Sequence, residues 1–174
     1  MAGIPVDVAY FESPVGIYEI MAEEEGITSI KMIKENEKQL IFNSDCPNSH
    51  LADCLKWMQV YFTDLGKISK CKMPALNTTK FKHKKFCRKV WKVVGEQIKP
   101  GQTISYSDVA KLMGNPKAAR AVGMAMKSNP LSIIMPCHRV VSKNGIGFYS
   151  SLNGIKTKEW LLQHEKVDTK KIGN

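Results

Sequence analysis

The segment Asn129 to Val141, N-P-L-S-I-I-M-P-C-H-R-V-V, sets a cysteine, a histidine and an arginine in succession. A thiol held in place with an imidazole and a guanidinium nearby suits a nucleophile, because the thiolate is the reactive form. The apolar run Leu131 to Met135, bounded by Pro130 and Pro136, reads as a buried extended segment that delivers Cys137 at its end. The triplet taken alone is also compatible with an ordinary buried thiol, the common state of a free cysteine. Its surroundings decide between the two.

The elements around it are legible from periodicity and turn chemistry. Val6 to Phe11, Val15 to Met21 and Ile27 to Ile33 alternate like short strands, separated by Ser13-Pro14 and Glu24-Glu25-Gly26. The acidic run Glu23 to Glu25 reads as a solvated turn. From Ser49 to Thr63, Leu51, Leu55, Met58 and Phe62 recur at helical spacing. Gly66 to Thr79 is linker-like, which puts a domain boundary near residue 76. A long helix is expected over Phe81 to Ile98, with Phe86, Val90, Val94 and Ile98 on its core face, ended by Pro100-Gly101. Ser105 then caps a helix through Met113 with Asp108 at its third position. After Gly114, Asn115 and Pro116 open another helix to Ser128. The last helix is expected over Lys156 to His164, followed by Glu165.

Two helices joined by a short turn suggest nucleic-acid binding, and the charge agrees. Residues 1–76 hold seven Lys and Arg against eleven Asp and Glu, while residues 77–174 hold nineteen against five. Such an asymmetry suits a polyanion bound by the second part. The second helix of the pair departs from a base-reading helix: Ala118, Ala119, Ala121, Gly123 and Ala125 are small, and only Arg120 projects. Small residues permit close approach to a groove, so sequence-indifferent contact is the better reading. No apolar run approaches membrane-spanning length, and the N-terminal residues carry no signal-type stretch. The five cysteines, irregularly spaced, argue against a disulfide framework and for an intracellular protein. Cys46, His50 and Cys54 fall at four-residue intervals but lack a fourth ligand, so no metal is assigned.

Together, P-C-H-R-V-V at 136–141, A-R-A-V-G at 119–123, N-P at 129–130, T-I-S-Y-S-D-V-A and E-W-L-L-Q-H-E resemble the O6-alkylguanine-DNA alkyltransferases. The resemblance runs from about Phe86 to Glu165, and the loop G-I-G-F-Y-S-S looks most like archaeal members. It implies direct-reversal repair: an alkylated guanine, and also O4-alkylthymine, is flipped out of duplex DNA and its alkyl group moves once to the protein's own cysteine. Matched by position, Cys137 is the acceptor, His138 its base through a water, and Glu165 the residue orienting His138. Asn129 is implied as the hinge residue, Tyr106 as the group that rotates a phosphate and helps protonate the departing guanine, and Lys158 as a lysine near the pocket. Arg120 is implied to fill the gap left by the base, within a DNA-binding set of Tyr106, Lys117, Ala119, Ala121, Gly123 and Lys127. The base pocket is implied to use Met126, Val140, Tyr149 and Ser151. Ser132, where some members have proline, and Ser150-Ser151-Leu152 depart from the common pattern and bear on substrate range.

The expected architecture is α/β (α+β): a strand-meander-plus-helix scaffold domain, 1–76, packed against a mostly helical domain, 77–174, with a helix-turn-helix. The expected partner is duplex DNA bearing alkylated guanine, met by a cytoplasmic monomer with no cofactor, membrane or obligate protein partner. Three rivals predict other behaviour. A lesion sensor without chemistry would lack the acceptor thiol. A helix-turn-helix regulator would select sequences, usually as a dimer, and a thiol hydrolase would turn over.

Overall fold

The computed structural model describes residues 6–38 and 48–173. Two compact units emerge, Met1–Lys80 and Phe81–Asn174. The first is built on strands β1 (Asp7–Ser13), β2 (Gly16–Glu23) and β3 (Gly26–Ile33), joined in antiparallel order. The turn at Ser13 is closed by its own hydroxyl, which donates to the Gly16 carbonyl at 2.7 Å and accepts from the Val15 amide at 3.2 Å. Helix α1 (Ser49–Thr63), capped by Asn48, lays Leu51, Met58 and Tyr61 into a core with Tyr18, Ile20 and Ile30. Phe62 stacks on Phe11 with centroids 5.7 Å apart. His50 and Cys54 lie on α1 as expected; Cys46 lies outside the described residues. A His50 ring nitrogen meets the Glu24 carbonyl at 3.1 Å, and burial pushes the Cys54 thiol up to about 12.

Residues 75–77 do not form a free linker. Leu76 bridges Ile27 in parallel, with the Ile27 amide donating to the Ala75 carbonyl and the Asn77 amide to the Ile27 carbonyl, both at 2.9 Å. Nor is Glu23 part of a solvated turn. It is 1% exposed, paired with Lys80 and reached by the Asn77 amide, and these bonds carry the first unit past residue 76 to Lys80.

The second unit holds α2 (Lys85–Gln97), α3 (Tyr106–Leu112), α4 (Ala119–Lys127) and α5 (Ile155–His164). It also contains an unanticipated parallel pair, β4 (Ile104–Ser105) with β5 (Val140–Val141). Helix α2 starts four residues later than its periodicity suggests. Phe81 packs edge-on against Trp91, centroids 5.7 Å apart, whereas ten residues of continuous helix would hold them roughly 15 Å apart. Phe86, in the first turn of α2, is exposed rather than on the core face, and Trp91 is buried there, its indole donating to the Ala125 carbonyl at 2.8 Å. Pro116–Ala118 form a separate 3-10 turn before α4, and the Asn115 side chain does not cap it. Ser105 caps α3 as expected, accepting from the Asp108 amide at 3.1 Å. Among the described residues no helix is long and apolar enough to cross a membrane.

Gly26 marks where the first unit has least tolerance. It adopts φ +136°, and a Cβ there would lie 2.6 Å from the Ala75 carbonyl oxygen. Gly26→Ala is expected to cost about 1–3 kcal/mol, read as a fall in thermal unfolding midpoint of several degrees.

Candidate active site

The segment between Pro130 and Pro136 is not extended. Met135 donates to the Leu131 carbonyl and Ile134 to the Ser132 carbonyl, both at 2.9 Å, and Ile133 sits at φ +71°. The cause is Asn129. Its carboxamide oxygen accepts from the Leu131 amide at 3.0 Å while its NH2 donates to the Met135 carbonyl at 2.7 Å. One side chain thus grips both ends of a five-residue run, which in extended form would span roughly 16 Å. The apolar residues satisfy their hydropathy within the turn: Leu131, Ile133 and Ile134 are buried. The same NH2 reaches the Cys137 sulfur at 3.2 Å, so the clamp also fixes the thiol.

Cys137, His138 and Arg139 occupy one 3-10 turn, and their side chains part company. The Cys137 thiol faces a cavity of about 630 Å³. His138 and Arg139 turn into the core and converge on Glu165. The imidazole Nε2 lies 2.9 Å from Glu165 Oε1, while Arg139 donates through Nε to Oε2 at 2.9 Å and through an NH2 group to Oε1 at 2.8 Å. Its other guanidinium nitrogen donates to the Ile98 carbonyl at 2.7 Å. The guanidinium expected beside the thiol therefore serves the carboxylate, which the triplet's order did not reveal. Arg139 is buried, and a charge there demands a carboxylate.

These contacts decide the protonation states. Burial raises the Cys137 thiol above an ordinary cysteine; hydrogen bonds from Asn129 and Tyr149 and the Lys158 charge oppose it. Burial likewise lowers the His138 imidazole, against the pull of Glu165, so the ring is neutral and able to accept a proton. Burial alone would raise the Glu165 carboxyl, yet His138 and Arg139 hold it well below the usual carboxylate range. Lys158 is fully buried and its ammonium is lowered by burial to about 8. It donates to the Val140 carbonyl at 2.6 Å and the Phe148 carbonyl at 3.4 Å. Burial, then the charge of Cys137, raises the Tyr106 phenol, which keeps its proton at neutral pH.

The cavity walls come from two elements. On α4, Arg120, Gly123, Met124 and Lys127 form one stripe at i, i+3, i+4 and i+7 that faces the cavity, with Met126 beneath it. Opposite run Ser142 and the loop segment 147–150. Tyr106 lies between them. Its ring passes within contact distance of the backbone at Gly123 and Gly147, where a Cβ would stand 4.0 Å and 3.5 Å from it.

The structure thus gathers Cys137, Tyr106, Arg120, Gly123, Met126, Lys127 and Tyr149 around one cavity. Asn129, His138, Glu165 and Lys158 stand behind it. Lys117, Ala119 and Ala121 lie off the cavity, near the start of α4. Val140 is fully buried in β5 and offers its carbonyl to Lys158 rather than a wall to the pocket. Ser150, not Ser151, lines the cavity; Ser151 begins the turn into α5, its carbonyl accepting from the Gly154 amide at 2.9 Å, and its hydroxyl oxygen is buried. Met124, Ser142, Gly147 and Phe148 also line it without having been singled out. Of these, only Met124, one turn beyond Arg120, was accessible to helical spacing.

Two family models match the chain: 6-O-methylguanine DNA methyltransferase, DNA binding domain, over residues 85–167, and the ribonuclease-like domain of the same family over residues 7–68. A methylated-DNA–protein-cysteine methyltransferase of Cricetulus griseus is 40% identical over 174 residues, covering 92% of this chain and 82% of the relative. One from the archaeon Methanosarcina acetivorans is 36% identical, covering 90% and 96%. Among solved structures, Mycobacterium tuberculosis OGT in complex with DNA superposes with TM-score 0.70 at 29% identity, over 91% of this chain and 92% of that one.

Two outcomes test this geometry. Asn129→Ala removes a hydrogen bond that favours the thiolate, so iodoacetamide labelling of Cys137 should titrate at higher pH than in the wild type. Labelling at pH 7 should be on the order of tenfold slower. Glu165→Gln leaves Arg139 buried against a neutral amide, at a cost of about 3–5 kcal/mol near pH 7. Because the folded-state pKa of Glu165 lies below its unfolded value, its contribution is present above the ordinary carboxylate range and drains as pH falls through the folded value. The gap between wild type and variant, measured by denaturant unfolding, should therefore shrink on acidification.

Proposed function

The chain belongs to the methylated-DNA–protein-cysteine methyltransferase family, and from that premise we propose how it performs direct-reversal repair of alkylated guanine in duplex DNA. The observation that carries the reading is the Cys137 thiol at the wall of a cavity whose rim bears Arg120 and Lys127, backed by a buried His138–Glu165 pair. Phosphate contacts by exposed cations of the second unit supply affinity without sequence preference, weakening with salt. The guanine leaves the stack, and Arg120 takes its place in the duplex.

The Cys137 proton passes through a water to the neutral His138, and ionised Glu165 stabilises the imidazolium that forms. Sulfur attacks the alkyl carbon in line; the S–C bond forms as the C–O6 bond breaks, and the electron pair departs with the guanine oxygen. Tyr106, still protonated, donates to the leaving guanine. Lys158 favours the thiolate electrostatically and spans the Val140 and Phe148 carbonyls, holding the loop at the cavity. The thioether has no exit, so each molecule acts once, as a monomer in the cytoplasm and without a cofactor. The first unit, which carries none of these groups, serves as a scaffold. The presence of Cys137 disfavours a pure lesion sensor, and the small-residue α4 disfavours a sequence-selective regulator.

Intact-protein mass after incubation with duplex DNA containing O6-methylguanine tests this directly. The expected result is a gain of one methylene on Cys137, saturating at one per protein and absent in Cys137→Ser. Lesion binding without mass gain would make the protein a sensor, and turnover beyond one event would make it a hydrolase.

A further inference from the structure

Phe148 stands out among the residues around the cavity. Phe148 is 64% exposed, although folding rewards burial of a group this apolar. Nor is it on a loose segment. The Phe148 carbonyl holds the Lys158 ammonium, Tyr149 beside it is buried, and Gly147 before it is packed against Ser142 and Tyr106. The backbone is thus pinned on both sides, with one aromatic ring left out. Lys127, from the α4 stripe, places its ammonium 5.9 Å from the centroid of that ring. A cation over one face orients the ring and leaves the other open. Across the cavity, Met124 is 65% exposed. Two large apolar side chains therefore flank the mouth of a cavity that holds the nucleophile.

We propose that Phe148 is a positioning residue for the extruded nucleotide: its open face stacks on the alkylated base or its sugar at the mouth of the cavity, opposite Met124. This rests on the repair reading above and adds to it. A base leaving the duplex loses the stacking of two neighbours, and an aromatic face of fixed orientation replaces part of it. With the alkyl group directed at Cys137, the glycosidic side of the base must lie toward the opening, where the ring stands. Lys127 acts in this arrangement by aiming the ring.

The test compares Phe148→Ala, Phe148→Leu and Phe148→Trp for single-turnover transfer from duplex O6-methylguanine to Cys137, across a range of DNA concentrations. Iodoacetamide labelling of Cys137 is followed in parallel. Phe148→Ala and Phe148→Leu should raise the half-saturating DNA concentration by about tenfold, with Phe148→Trp close to wild type. Thiol labelling should be the same in all four proteins, because the ring does not touch the sulfur. Equal transfer by the Ala variant and the wild type would overturn the proposal. So would a defect that Trp does not restore, or one accompanied by altered thiol labelling, since the ring would then act only on loop shape. A wild-type protein that transfers nothing to Cys137 would overturn the reading of the site, and this inference with it.

Discussion

A single buried carboxylate organises the second unit. Glu165 is 2% exposed and ties together three segments: the end of α5, the turn carrying Cys137 to Arg139, and, through the Gly101 amide at 3.4 Å, the loop after α2. A lone charge at such depth would cost far more than the fold can spare, so it must be compensated where it lies. Two basic side chains meet it, and their difference matters. Arginine cannot give up its proton, and its two-pronged contact neutralises the carboxylate permanently. The imidazole meets the same carboxylate yet stays neutral, first because burial disfavours its charged form and to a lesser degree because the Arg139 charge lies beside it. In a solvated site the Glu165 contact would favour an imidazolium, and the ring would have no capacity left for the Cys137 proton. Arg139 touches no part of the cavity; it compensates the carboxylate and adds its charge to the burial that holds the ring neutral.

The second constraint is spatial. Asn129 folds the run after α4 into a turn and sets the thiol at its end, with every hydrogen of its NH2 and its oxygen engaged. The cost includes a β-branched residue, Ile133, at positive φ, a conformation that persists only where the surroundings over-determine it. The Tyr106 ring lies between α4 and the loop, close to Gly123 and Gly147. The cavity is thus formed by backbone held close to backbone, and the small residues of α4 serve this packing as well as any approach to DNA.

The sequence made the chemistry more legible than the shape. Cys137, His138 and Glu165 could be singled out because thiol chemistry suits those types, whereas Asn129 and Tyr106 were named only through the resemblance of the joined motifs. Helix α1 could be bounded to the residue from its apolar periodicity, and the Asn48 cap accounts for its start. What stayed hidden depends on contacts distant in sequence. An apolar run between prolines has the same local signature whether it is stretched or gripped at both ends by an asparagine. The start of α2 was set by Phe81 reaching Trp91, which periodicity cannot register. Ser150 and Ser151 differ only in which side of the chain faces the cavity, decided by the turn that opens α5. The first unit bore no recognisable motif, yet the ribonuclease-like family model matches it over residues 7–68.

The charge asymmetry also divides once the structure is known. Some of the second unit's cations are not available to a polyanion: Arg139 is spent on Glu165, and Lys158 is buried behind the thiol. Arg120 and Lys127 remain at the cavity. Lys158 shows why burying a cation here is worthwhile. In the proposed reaction a thiol used only once must not be alkylated by stray electrophiles, and burial favours the protonated Cys137 at rest. Yet the same thiol must ionise when an alkylated base is seated. Asn129, Tyr149 and Lys158 all favour the thiolate from fixed positions, and in a cavity filled by substrate rather than water their influence strengthens. A high resting pKa with preorganised stabilisation nearby thus makes reactivity conditional on occupancy, which is what a single-use nucleophile requires.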